Sequence, residues 1–285
     1  MNSEALARAC QWVDTNLEKF AIGADPTAIM ATLKATTELF HAADYLVRTD
    51  DERWIAIGER WKAYASRQVG EGALVRGMLA ASPRNLVALV AWVPFHLAGM
   101  PDPGLTPLII RGLRGQVIPP LIWTIVGPAL RMLGIPWQDT GVRVGGKPIS
   151  MLAWRVSPQV MPQDAAYLLA HECMYVTKWG LEASTLDTTT SVYVAEALPA
   201  LALRFAHDAD LVAELIMATH ALHLPCASPD AWRVLERAQT EAGNIDGPAP
   251  DSMFQRFPHP SLGRTYHTTL AAIMAWSGHL RPGAH

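Results

Sequence analysis

Four residues able to move protons or hold a metal recur in equivalent settings along the chain: Glu38, His171, Glu214 and His267. Each opens a stretch of alanines, aliphatics and hydroxyl residues: Glu38-Leu-Phe-His-Ala-Ala-Asp-Tyr, His171-Glu-Cys-Met-Tyr-Val-Thr-Lys, Glu214-Leu-Ile-Met-Ala-Thr-His-Ala and His267-Thr-Thr-Leu-Ala-Ala-Ile-Met. A histidine titrates near neutrality and a carboxyl in an apolar setting can be raised toward it, so these groups suffice for acid/base work. His171, His267 and Glu214 are also nitrogen and oxygen ligands suited to a divalent metal. Tyr175 lies four residues beyond His171 on the same helical face, as an acid, a hydrogen-bond partner or packing. Asp210 lies four residues before Glu214 and is either a further carboxylate of the site or part of a helix cap with Asp208. Each of these residues has a plainer reading too, as a lone polar side chain satisfied by a neighbouring backbone or hydroxyl group.

Other groupings carry less. His171-Glu172 does not begin an HExxH zinc helix, because Tyr175 stands where the second histidine is needed. His220, His223 and Cys226 are ligand types at one-turn spacing, but Pro225 ends the helix and no second Cys/His cluster completes four ligands. Histidines placed favourably at a helix C-terminus explain them more simply. The segment 141–147, GVRVGGK, lacks the spacing and the Ser/Thr of a phosphate loop.

The elements that must position these residues are helices. Ala, Leu, Arg, Glu and Met dominate the long segments, and alternating β-branched residues are scarce. The pattern predicts helices over 3–21, 26–48, 52–68, 71–81, 84–98, 105–115, 120–133, 163–179, 188–206, 209–223, 229–242 and 261–278. Asp25-Pro26, Ser82-Pro83 and Ser228-Pro229 are start signals, and Gly99, Gly134 and Gly180 are stops. The best strand candidate is 141–149. Two long connections remain, 134–162 and 243–260, the second of a length common in lids. The four anchors lie 133, 43 and 53 residues apart, and the two shorter intervals are near the length of a helix-pair repeat. The expectation is an all-α fold of helix-pair repeats forming an α/α toroid or curved solenoid. It is expected as a single domain, 1–285, whose N-terminal half 1–134 and C-terminal half 163–285 are joined by the loop 135–162.

Three segments of the C-terminal half resemble a bacterial all-helical family of unknown function. They are His171-Glu-Cys-Met-Tyr-Val-Thr-Lys-Trp-Gly180, Asp208-Ala-Asp-Leu-Val-Ala-Glu-Leu215 and Tyr266-His-Thr-Thr-Leu270. The family patterns are His-Glu-x-Phe-Tyr-x-Thr-Asp-Phe-Gly, Asp-x-Asp-Leu-x-x-Glu-Leu and Tyr-His-Thr-Thr-Leu, in the same order. The chain departs from them at Lys178, where an aspartate is usual. Members often stand beside natural-product genes, so the resemblance implies a biosynthetic or tailoring role.

Composition narrows the function further. Half the chain, 50%, is hydrophobic and 17% is charged, which excludes disorder. The net charge of -3, without a basic stripe, speaks against nucleic acid. The apolar run 117–130 is shorter than a membrane span and contains three prolines, although 105–135 could be stretched across a bilayer with arginines inside. Three unpatterned cysteines and a polar N-terminus point to a reducing cytoplasm. These features lead to an enzyme acting on a small-molecule or carrier- or peptide-linked intermediate, by acid/base or metal-assisted chemistry, with a homodimer possible. A non-catalytic helical-repeat binding or scaffold protein is the alternative.

Overall fold

The structure is a computed structural model that describes residues 3–23, 25, 28–82, 85–100, 102–114, 120–135, 143–144, 147–148, 150–225, 228–247 and 257–280. Regular structure among these residues is helical apart from one two-residue ladder and an isolated bridge between Gln239 and Ile245. In order come α1 (Ser3–Thr15), α2 (Ile29–Val47), α3 (Glu52–Val69), α4 (Ala73–Ala81), α5 (Leu86–Leu97), α6 (Leu105–Leu113) and α7 (Pro120–Met132). There follow α8 (Met151–Trp154), α9 (Gln163–Val176), α10 (Thr188–Arg204), α11 (Ala209–Ala221), α12 (Pro229–Ala238) and α13 (Pro260–Gly278). Arg143–Val144 (β1) pairs antiparallel with Lys147–Pro148 (β2), all that the described residues retain of the 141–149 strand candidate.

Local chemistry explains where helices start and stop. Ser228 accepts from the Asp230 amide with Pro229 in the first turn, and Asp208 caps α11 through the Asp210 and Leu211 amides. Gly99, Gly134 and Gly180 have φ of 84°, 67° and 76°, the left-handed geometry of a glycine stop. The helix expected over 3–21 is broken at Asn16, whose side-chain amide donates to the Trp12 carbonyl and competes with the helical ladder; a 3-10 turn, Leu17–Phe20, follows. The helix expected to reach 242 ends at Ala238, because the Gln239 side chain donates to the carbonyls of Ala5 and Gly243 instead.

The single turn α8 interrupts the expected 134–162 connection. It is too short for a hydrophobic period, and tertiary contact holds it. Buried Glu172, on α9, accepts from the Ser150 hydroxyl at 3.0 Å and the Leu152 amide at 2.9 Å.

The helices carrying the candidate residues are neighbours. α2 packs on α13, α13 on α11, and α11 on α9; α5 packs on α2 and α7, and α7 on α9. One buried cluster joins α1, α2, α3 and α8 to α13, and a second gathers α4 to α7 against the other side of α2. Trp179 packs against both. From Asp210 to Ala221 every residue of α11 is buried, so this helix is enclosed on all sides and shows no apolar stripe. Among the described residues no helix is long and apolar enough to cross a membrane.

Candidate functional site

α2, α9, α11 and α13 bring the predicted residues to one place. His267 on α13 points Nδ1 at Glu38 Oε2 of α2, 2.9 Å away, and Nε2 at Asp210 Oδ2 and Glu214 Oε1 of α11, 3.6 and 3.7 Å away. His171 on α9 sets Nε2 3.2 Å from Glu214 Oε2. Lys34, one turn before Glu38, stands 3.4 Å from Glu38 Oε1. The result is a relay of charge contacts rather than an unbroken line of hydrogen bonds, Lys34–Glu38–His267–Glu214–His171, with Asp210 beside its centre. Asp210 and Glu214 share a face by their four-residue spacing, and the neighbouring helices supply what faces them.

Burial and mutual charge set the protonation states. Burial would raise the Glu38 carboxyl, but the His267 and Lys34 charges outweigh it and hold it down at about 2. Glu214 is likewise held at about 2, because His171 and His267 overcome its burial. The histidines mirror this. Burial disfavours their charged forms, yet Glu214 raises His171, and Glu38 with Asp210 raises His267 well above its ordinary value. Asp210 goes the other way: burial raises it, and His267 only partly offsets burial and the adjacent Glu214 charge. Its Oδ2 accepts from the Tyr167 hydroxyl at 3.1 Å, while the buried Oδ1 accepts no well-formed hydrogen bond among the described residues.

Tyr175 is within the site as an aromatic neighbour. Its ring stacks on His171 at 5.9 Å and meets Trp179 edge-on at 5.7 Å. Burial first, and the Glu214 charge second, push its phenol upward, so it stays protonated and can donate. His41 closes the other side of Trp179, with ring centroids 4.3 Å apart.

The group of residues close enough together to hold a metal is not the expected His171, His267 and Glu214. Asp210, Glu214 and His267 offer atoms within 4.8 Å of one another, and Asp210 takes the place expected for His171, which instead braces Glu214. Cys226 lies outside the described residues. His220 is a packing residue, against Gly278 and the rings of Trp232 and His279. Lys178 points away from the carboxylates and pairs with Glu182 at 2.6 Å. Its φ is 47°, in the left-handed region where aspartate and asparagine are enriched among non-glycine residues. An aspartate at this position therefore suits the backbone of the α9 stop.

Sequence reasoning missed Tyr167 and Lys34. Tyr167 donates to both Asp208 and Asp210, and Lys34 holds Glu38. Both stand one helical turn before an expected site residue, His171 and Glu38, so the same-face rule would have found them.

No curated protein and no solved structure matches the chain. The model of the domain of unknown function DUF6895 matches residues 6–277, spanning both halves of the chain, and the chain belongs to that family.

Proposed function

We propose that this chain is an enzyme that transforms a small-molecule or carrier- or peptide-linked intermediate by acid/base chemistry at His171 and His267. The observation that carries the proposal is the relay Lys34–Glu38–His267–Glu214–His171. Glu38 accepts at His267 Nδ1 and so orients the ring with Nε2 toward Asp210 and Glu214. Glu214 pairs with His171 Nε2 at 3.2 Å from the opposite side, a charge contact without the alignment of the Glu38 hydrogen bond. The two imidazoles share one carboxylate, so a proton gained at one changes the charge that the other experiences. The Tyr175 phenol, kept protonated above His171, is the donor for an oxygen of the substrate. A scaffold has no need of such a set, because buried charges are costly to desolvate.

The packing order supports an α/α toroid. Helices α2, α5, α7, α9, α11 and α13 each pack on the next, and α13 packs on α2. We infer that these six form the inner ring, the remaining helices lie outside, and the relay faces the central cavity. A bacterial natural-product pathway supplies the substrate in this reading. The buried thiols of Cys10 and Cys173, kept protonated by desolvation, suit a cytoplasmic setting.

The test compares wild type with His171→Ala and His267→Ala in a bacterial metabolite extract, followed by mass spectrometry. Wild type is expected to consume a species that both variants leave untouched, with roughly 100-fold or greater loss of rate and helical circular dichroism unchanged. Unfolding of both variants, or equal consumption by all three proteins, overturns the proposal.

A further inference from the structure

The geometry points to a divalent-cation site formed by Asp210, Glu214 and His267. This inference rests on the reading above in one respect, that it gives the same catalytic centre its cofactor: with the ion bound, His267 is its ligand at Nε2 and is held by Glu38 at Nδ1, so the proton transfer falls to His171. Four features of the three residues carry it.

The first is spacing. The His267 Nε2 separations from Asp210 Oδ2 and Glu214 Oε1, 3.6 and 3.7 Å, are too long for hydrogen bonds. They are close to the edge, roughly 3.4 Å, of a tetrahedron of ligands with metal bonds near 2.1 Å. The second is an unmet need. The Asp210 side chain is 5% exposed, and its buried Oδ1 has no hydrogen bond of good geometry, although the Thr268 hydroxyl lies near enough to favour the carboxylate. A weakly satisfied buried carboxylate oxygen is costly, and a cation satisfies it directly.

The third is orientation. Glu38 holds His267 Nδ1 at 2.9 Å, which aims Nε2 at the two carboxylates; metal-bound histidines are held in this way by a carboxylate on the other nitrogen. His171 braces Glu214 from behind in a comparable role. The fourth is charge. Glu38, Asp210 and Glu214 face Lys34 as the one fixed cation among these residues, and a divalent ion would offset the remaining negative charge in place of the protons on the two imidazoles. Two carboxylates and an imidazole, with no thiolate, suit Mn2+, Fe2+ or Zn2+ rather than a soft ion. Two ligands one turn apart on α11 and a third on α13 place the set on enclosed helices.

The test uses the full chain, stripped with a chelator. Mn2+ is titrated in, with free ion read by electron paramagnetic resonance, and Zn2+ is added as a competitor. One Mn2+ per chain is expected, displaced by Zn2+. Asp210→Asn and Glu214→Gln are expected to lose it with helical dichroism intact, whereas His171→Gln keeps one equivalent, weakened roughly 10- to 100-fold. If those variants fail to fold, wild type alone decides: bound Mn2+ must broaden the ring resonances of His267 and His171 before those of His207 and His259. Failure of both ions to bind, binding that survives in folded Asp210→Asn and Glu214→Gln, or broadening of His207 and His259 first overturns the site. The two readings fail separately. Turnover in chelator without bound ion removes the cation and keeps the acid/base enzyme; one bound ion without consumption of any species keeps the cation site and removes the enzyme.

Discussion

The two sides of α2 are both lined by helices rich in apolar residues and are used differently. Toward α9, α11 and α13 the helices carry Glu38, His171, Asp210, Glu214 and His267, and each of these is in contact with another. Toward α5 the same helix meets an aromatic stack, with Phe40 4.1 Å from Phe95 and Phe95 5.2 Å from Trp92. The first side tolerates buried charge because the charges compensate one another; among the described residues the second has no such cluster and holds by packing, with a hydrogen bond from the Thr37 hydroxyl to the Ala91 carbonyl at 3.2 Å. The contrast predicts that the two sides fail differently. Phe95→Ala, at a fully buried position, is expected to cost about 3–5 kcal/mol in denaturant unfolding. Mn2+ binding and substrate consumption per folded molecule should stay unchanged. Loss of Mn2+ binding in folded Phe95→Ala would break the comparison, by showing that the aromatic side also sets the site.

A smaller effect separates the sides by pH. Glu38 and Glu214 are held at about 2 against an ordinary value of 4.5, so their stabilisation is full above 4.5 and is lost as the pH falls toward 2. His171 and His267 are raised above 6.5, so theirs is full below 6.5 and is lost as the pH rises through the raised values. Asp210, pushed up by burial, opposes the carboxylates and blunts the acid side. With a chelator present, the melting temperature should peak between about pH 4.5 and 6.5. The drop toward pH 2 should be on the order of 2 kcal/mol for Glu38. His267→Ala should flatten both limbs, while Phe95→Ala should lower the whole curve without changing its shape. A wild-type curve level from pH 4.5 to pH 8 would remove the charged cluster from the stability of the fold.

Much of this arrangement was legible in the sequence, for identifiable reasons. Helices were legible because good helix formers and glycine stops agreed and Ser228-Pro229 opens α12, whereas Pro26 and Pro83 lie outside the described residues and α2 and α5 start after Ala28 and Asn85; α8 was not, since one turn held by Glu172 has no period of its own. The four anchors were legible because polar residues stand out in apolar helices, and these four converge. What the sequence hid was pairing. Whether Asp210 or His171 joins Glu214 and His267 depends on how α9 and α13 lie against α11, a matter of packing with no signature in residue spacing. Asp208 and Asp210 look alike in sequence, yet one caps α11 and the other enters the site.

Position 178 is the finest test of this division between backbone and chemistry. The pattern that residues 171–180 resemble carries an aspartate there, which would join the charged side if it were chemical. Its surroundings say otherwise: Lys178, Trp179 and Gly180 have φ of 47°, 62° and 76°, three left-handed residues in succession at the end of α9. The side chain leads outward to Glu182, itself 56% exposed. Lys178→Asp therefore exchanges an exposed ion pair, worth about 0–1 kcal/mol, for a residue that adopts this backbone more readily. The two terms oppose, so stability should move by no more than about 0.5 kcal/mol, with Mn2+ affinity and turnover within twofold of wild type. A tenfold gain in either would place the aspartate among the working groups of the site and extend the charged side beyond the end of α9.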